Sequence, residues 1–175
     1  MRQNILKYGI IAGGIMLVVF TLSWLILGME PENYTISEII GYTAMILSLL
    51  TIYFGIKNFK ENISGGKITY GKALLVGLQI TLIASLIFGV FTYVVVELLY
   101  PNFTEEYYQH YTDQIKNSGL PQEEIDKQLE ELNSMADLMH SSFFQGFLMF
   151  ITVFAIGLII SLVSSFILKS KPAAA

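Results

Sequence analysis

Four stretches of the chain are apolar and carry no charged residue: 8–29, 39–56, 73–96 and 141–168. They hold 22, 18, 24 and 28 residues. A helix crossing a hydrocarbon core of about 30 Å needs about 20 apolar residues. Each stretch therefore predicts a membrane-spanning helix, and the spans fall at about 5–27, 37–56, 72–99 and 143–168. The shortest is bounded by Glu38 and Lys57, whose side chains can reach toward the interface. Ser37, with Glu38 in the first turn, predicts the N-cap of the second span. Ser64-Gly65-Gly66 breaks the chain between spans two and three. Pro101 lacks the donor an interior helical turn needs, so it interrupts or kinks the third span.

The stretch at about 102–142 has a different pattern. Thr104 with Glu105 and Glu106 predicts a helix start, Gly119 its stop, and Pro121 the start of another helix. Ile125, Leu129, Leu132, Ala136, Met139, Phe143, Gly146 and Phe150 then alternate spacings of four and three. That is the seam of a packed helix, and it runs into the last span. The expectation is one continuous helix from about Pro121 to Leu168. Tyr108, Tyr111 and Ile115 offer a matching face on the preceding helix. The segment then reads as an αα-hairpin with its apolar faces buried against each other, or as a docking face for a partner. The expected fold is an all-α integral membrane protein, a single membrane domain over 1–175. It has four transmembrane helices and an extracytoplasmic helical hairpin between spans three and four.

Charge adds orientation. Of ten Lys and Arg, eight (Arg2, Lys7, Lys57, Lys60, Lys67, Lys72, Lys169 and Lys171) lie in the segments on one side of the spans. Of fourteen acids, all but Glu61 lie on the other side. Basic residues flanking spans are held in the cytoplasm, which predicts both termini inside and 102–142 outside. The first apolar run is too long for the core of a secretory signal and lacks a small-x-small cleavage site, so it reads as a retained span. Trp24, Tyr93, Tyr100, Phe143 and Phe144 fall at one boundary, and Tyr8, Tyr53, Tyr70 and Phe166 at the other, as aromatic belts do. The net charge of −4 argues against a nucleic-acid partner.

Lipid supplies no hydrophobic drive between helices, so close packing needs small residues. Span three has a stripe of them at four-residue spacing: Ala73, Gly77, Thr81, Ser85 and Gly89. Span one has Gly9 and Gly13, and span four has Gly157 and Ser161. These predict bundle packing, or homo-oligomerisation through one stripe. Gln79 and Gln145 are the polar side chains most costly to bury, and so the expected interhelical hydrogen-bond donors.

Candidate chemistry is sparse. The deepest ionisable residue is Glu97, near the end of span three. With His140 and Asp137 it forms a candidate ligand cluster at the outer mouth of the bundle. Glu106, His110 and Asp113 share one helical face, a weak metal pattern, and no metal site is expected. Lys57, Lys60, Lys67 and Lys72 are candidate contacts for anionic lipid headgroups. No nucleotide-binding loop, metalloprotease motif, nucleophile elbow or cysteine is present, so neither an enzyme nor a cofactor is expected.

The start Asn4-Ile5-Leu6-Lys7-Tyr8-Gly9, the motif Ile68-Thr69-Tyr70-Gly71-Lys72-Ala73 opening span three, and the acidic segment before the last span together resemble a bacterial family of small four-span membrane proteins, domain of unknown function 4199. The resemblance covers nearly the whole chain. It implies an inner-membrane protein with a periplasmic segment, and no assigned activity. The function expected is therefore a non-enzymatic accessory or scaffold protein in the lipid bilayer, contacting a periplasmic or membrane partner through the acidic hairpin. The alternative is a small transporter or channel subunit with a site at the outer mouth.

Overall fold

The computed structural model describes residues 2–28 and 31–170, with the side chains of Pro31, Asp137 and Met139 outside the description. Helix α1 is Arg2–Leu27. A single 3-10 turn, Pro31–Asn33, leads into α2, Tyr34–Leu49, and Leu50 joins it to α3, Thr51–Asn62. Helix α4 is Tyr70–Val94 and ends in a π turn, Val95–Leu99. Then come α5, Phe103–Lys116; α6, Gln122–Ser134; α7, Ala136–Met139; and α8, Ser142–Leu168. No strand occurs among the described residues. Four helical rods are long and apolar enough to cross a membrane: Arg2–Leu27, Tyr34–Asn62, Tyr70–Leu99 and Ser142–Leu168. The chain is an all-α, multi-pass membrane protein, and its outward-facing side chains contact lipid.

Helix α4 is the central element, packed on α8, α1 and α3. Its buried set includes Ala73, Gly77, Thr81, Ser85 and Gly89. A Cβ on Gly9 would stand 2.7 Å from the Ile83 Cβ, and one on Gly13 would stand 2.9 Å from the Ile87 Cδ1. The two glycines of α1 thus seat consecutive isoleucines of α4. On the α8 side, a Cβ on Gly77 would stand 2.8 Å from the Ser161 Oγ, and one on Gly157 would collide with the Thr81 methyl. Gly89 and Gly146 face each other: a Cβ on either would stand within 2.9 Å of the other's carbonyl oxygen. Between these contacts the Thr81 and Ser161 hydroxyls lie 3.2 Å apart, both fully buried. Thr81 also donates to the Gly77 carbonyl at 3.0 Å. The α4–α8 seam therefore combines backbone approach with a satisfied polar pair, which is how helices associate without a hydrophobic drive.

The basic end is tied by hydrogen bonds. Buried Asn4 donates its Nδ2 to the Gly55 carbonyl at 3.0 Å, joining α1 to α3. Ser170 N donates to the Ile68 carbonyl at 2.8 Å, and Ile68 N donates to the Ser170 Oγ at 2.9 Å. Gly65 and Gly66 take φ of 65° and 80°, which side-chain-bearing residues avoid, so they form the turn between α3 and α4.

Two expectations are corrected. The second span does not start at Ser37: α2 starts at Tyr34 with Asn33 as its N-cap. The Asn33 side chain donates to the Leu27 carbonyl at 2.6 Å, so this amide ties the end of α1 to the start of α2. The continuous helix from Pro121 to Leu168 does not form. It breaks at Met135 and again at His140–Ser141, giving α6, α7 and α8. Ser134 turns its hydroxyl onto the Glu131 carbonyl at 2.7 Å, and Ser141, with extended backbone, accepts from Phe144 N as the N-cap of α8. Serine side chains compete with the helical ladder in this way, and a heptad pattern does not register it. Phe143 is 73% exposed, so the seam does not continue through the break. In place of two helices, 102–142 folds as three, with α5 contacting both α6 and α7. The Tyr111 hydroxyl reaches the second span, donating to Glu38 at 2.8 Å. The Gln79 side-chain carbonyl oxygen is buried with no hydrogen-bond partner.

Candidate functional site: a cavity at the acidic end

A cavity of about 370 Å³ opens between α1, α2, α4, α5 and α8 at the acidic end of the bundle. Helix α2 presents Tyr34, Glu38, Gly41 and Met45 to it at spacings of four, three and four. From Tyr34 to Met45 an α-helix rises about 16 Å, so the cavity extends along about 16 Å of the second span. Phe20, Phe88 and Met149 line the deep half, and Trp24, Phe103 and Tyr107 the shallow half. The π turn of span three contributes Val95 and Val96 to the wall. Wide turns of this kind redirect side chains at the end of a helix. The next residue, Tyr100, has φ of −144°, as expected for a residue preceding proline, and the helix ends there.

The polar groups of the cavity are few and placed at its mouth. Tyr107 and Tyr111, one turn apart on α5, donate to Glu38 Oε1 at 2.9 and 2.8 Å. Their phenol oxygens are 3.1 Å apart. Burial pushes the Tyr107 phenol far above its ordinary range, and its closeness to Tyr111 and Glu38 adds to this. Burial also pushes Tyr111 up. Both phenols therefore stay protonated as donors. The Tyr107 ring stacks on Phe103 at 5.3 Å and lies 5.7 Å from the Tyr34 ring, and His110 meets Tyr34 edge-on at 5.1 Å. Deeper in, the Ser23 Oγ is buried in the cavity wall with no hydrogen-bond partner among the described residues. Gln145 is also buried in this wall.

Of the site expected at Glu97, His140 and Asp137, the structure describes the side chains of Glu97 and His140. Glu97 lies exposed on the π turn and is not part of the cavity wall. His140 pairs with Glu105, its Nε2 lying 2.8 Å from Glu105 Oε2, while its Nδ1 lies 2.7 Å from the Ala136 carbonyl oxygen. The Asp137 side chain is outside the described residues. The contact with Glu105 ties the turn at His140 to α5. Hydrogen bonds from Gln109 and then His140 hold the Glu105 carboxyl below its ordinary range. A carboxylate lowered in the folded state favours folding above its unfolded range, and that contribution is lost as pH falls.

Glu106 accepts from the Tyr100 hydroxyl at 2.6 Å, and His110 pairs with Gln114 at 3.0 Å. Among the described residues no group of three metal-ligating side chains converges. At the opposite end, Lys60 Nζ donates to the Leu168 carbonyl at 2.9 Å and closes the C-terminus of α8, where a cation is favoured. Lys72 lies 5.6 Å from the Phe59 ring centre. Lys57 and Lys67 are exposed.

The match that places this chain covers residues 7–170. The chain belongs to the family described as Protein of unknown function (DUF4199). No curated protein and no solved structure matches it. For this DUF4199 chain the site must therefore be read from its own geometry.

Sequence reading did not find Glu38, Tyr107 and Tyr111 as a group. Glu38 reads as a first-turn acid complementing a helix dipole, and the tyrosines lie 69 and 73 positions away. The available signal is that Tyr107 and Tyr111 share one face of α5 one turn apart. Trp24 reads as an interfacial anchor, and its position in the cavity wall depends on α2 and α4 closing around it.

Proposed function

We propose that the protein is a non-enzymatic membrane binding protein whose acidic-end cavity receives the apolar body of a lipid-like molecule. The observation that carries this is the cavity itself, of about 370 Å³, walled by aromatic and aliphatic side chains with polar groups at its mouth. Ligand sites are concave, mostly apolar and fixed by a few polar groups, in the range of about 300–1,000 Å³. The accessory role expected from sequence then takes a definite form: the protein holds a hydrophobic ligand between its spans. Permeation is less well supported. The cavity ends at Met45, Phe88 and Met149, and beyond them the hydroxyls of Thr81, Ser85 and Ser161 are engaged with helix carbonyls or with each other.

The test is mass spectrometry of the protein purified in mild detergent. A non-covalent adduct with an apolar or amphiphilic molecule is expected. Protein that carries only exchangeable detergent, with no retained molecule in any preparation, contradicts the reading.

The charge asymmetry supports a bacterial inner-membrane orientation with both termini cytoplasmic and 102–142 periplasmic. The chain has no cysteine, so single cysteines report cleanly. Ser118→Cys, in the turn between α5 and α6, is expected to react with a membrane-impermeant maleimide in intact cells. Ser64→Cys, in the turn between α3 and α4, is expected to react only after lysis. The reverse pattern overturns the orientation.

A further inference from the structure

The polar end of the cavity carries a carboxylate, Glu38, with no salt bridge among the described residues. Glu38 Oε1 is held by two phenols, at 2.9 and 2.8 Å. Its Oε2 makes no hydrogen bond among the described residues. Among the described residues no Lys, Arg or His lines the cavity. The one ion pair among the described residues, His140 with Glu105, involves other groups. Bringing a carboxylate to the edge of an apolar cavity is costly unless it is paired and hydrogen-bonded. The two tyrosines supply hydrogen bonds to one oxygen only. The walls beside Glu38 are aromatic: Tyr34, Trp24, Phe103 and Tyr107. The faces of such rings attract cations, Trp most strongly.

Resting on the cavity reading above, we propose that the ligand is an amphiphilic organic cation, with an ammonium head at Glu38 Oε2 against the aromatic walls and an apolar tail reaching toward Met45 and Phe88. An anionic headgroup would meet the Glu38 carboxylate with no basic side chain to offset it. A neutral head would leave the charge unpaired. An ammonium pairs with Oε2 without disturbing the bonds that Tyr107 and Tyr111 make to Oε1. Those bonds also fix the carboxylate's position before the ligand arrives, which lowers the ordering cost of binding.

The experiment is isothermal titration of the full chain, in maltoside detergent, with three probes of one chain length: decyltrimethylammonium, decanol and decyl sulfate. The cation is expected to bind roughly ten- to a hundredfold more tightly than the alcohol, as for a contact to a charged group, and the sulfate most weakly. Glu38→Gln is expected to reduce the cation to the level of the alcohol while leaving the alcohol unchanged. Glu123→Gln, on the exposed acidic surface of α6, removes an equal charge away from the cavity and is expected to leave the preference intact. The alcohol titration also shows that the Glu38→Gln protein is folded. Equal binding of cation and alcohol overturns this proposal and leaves the cavity reading standing. Equal loss of the preference in Glu123→Gln also overturns it, since the surface potential would then be the cause. Failure of all three probes overturns both readings. Short-chain phosphatidylethanolamine added as competitor separates the sources: displacement of the cation supports a lipid ammonium, and no displacement supports a free amphiphilic cation.

Discussion

Replacing Gly89 with alanine is expected to destabilise the bundle by about 1–3 kcal/mol, the range for overpacking a close contact. The added Cβ would stand 2.9 Å from the Gly146 carbonyl oxygen and 2.9 Å from the Phe150 Cβ. The first of these is backbone and cannot rotate away. Because Gly146 makes the reciprocal approach to Gly89, the same change at Gly146 is expected to have a similar cost. The two helices would have to separate near the acidic end, which loosens the Thr81–Ser161 pair further along the seam. Leucine at Gly89 is expected to abolish the packing. Gly14 is the internal control, since a Cβ there meets nothing within 4 Å. Gly14→Ala removes only the entropic cost of glycine in a helix and is expected to be neutral or slightly stabilising. Thermal unfolding of these variants and of the unaltered protein in detergent checks this. Equal midpoints for Gly89→Ala and Gly14→Ala would sink the packing account.

Ser23→Leu is expected to raise stability and abolish ligand binding together. The Ser23 Oγ is buried in the cavity wall without a partner. An unsatisfied buried hydroxyl costs about 1–3 kcal/mol, and leucine removes that cost while filling space. The same filling takes volume from the ligand. The outcome separates two views of the cavity. If it is a packing defect, Ser23→Leu stabilises and the retained molecule seen by mass spectrometry is unchanged. If it is a binding site, the gain in thermal midpoint comes with loss of that molecule. Stability kept in reserve at a functional site is a common trade.

What could be read from the sequence follows from where the physics is local. The spans were legible because lipid requires long apolar runs and the charges stop at their ends. Families of small residues at four-residue spacing were legible as helix faces, but not their partners. Nothing in the spacing of Gly9 and Gly13 says that they seat Ile83 and Ile87. The break at Met135 and His140–Ser141 was hidden because a heptad seam records only apolar positions, while Ser134 and Ser141 act through backbone hydrogen bonds. Membrane depth alone suggests grouping Glu97 with His140; it does not reveal that Glu97 sits on a π turn outside the cavity wall or that His140 pairs with Glu105. Lys60 reads as a headgroup contact because it is basic and near the interface, whereas its ammonium closes α8 at Leu168. The cavity was least legible. It is a property of five helices, and its polar group is built from Glu38 and two tyrosines far along the chain.

The central claim is that the acidic-end cavity is a ligand site. Trp24 is the one tryptophan of the chain and lines that cavity, so its emission reports occupancy without a label. The most direct measurement is quenching of Trp24 by a brominated long-chain alcohol titrated into the protein in lipid nanodiscs. The account predicts a saturable component that is lost in Ser23→Leu. Quenching that rises linearly with probe and is the same in both proteins would contradict it, because Trp24 would then be sensing only the surrounding bilayer.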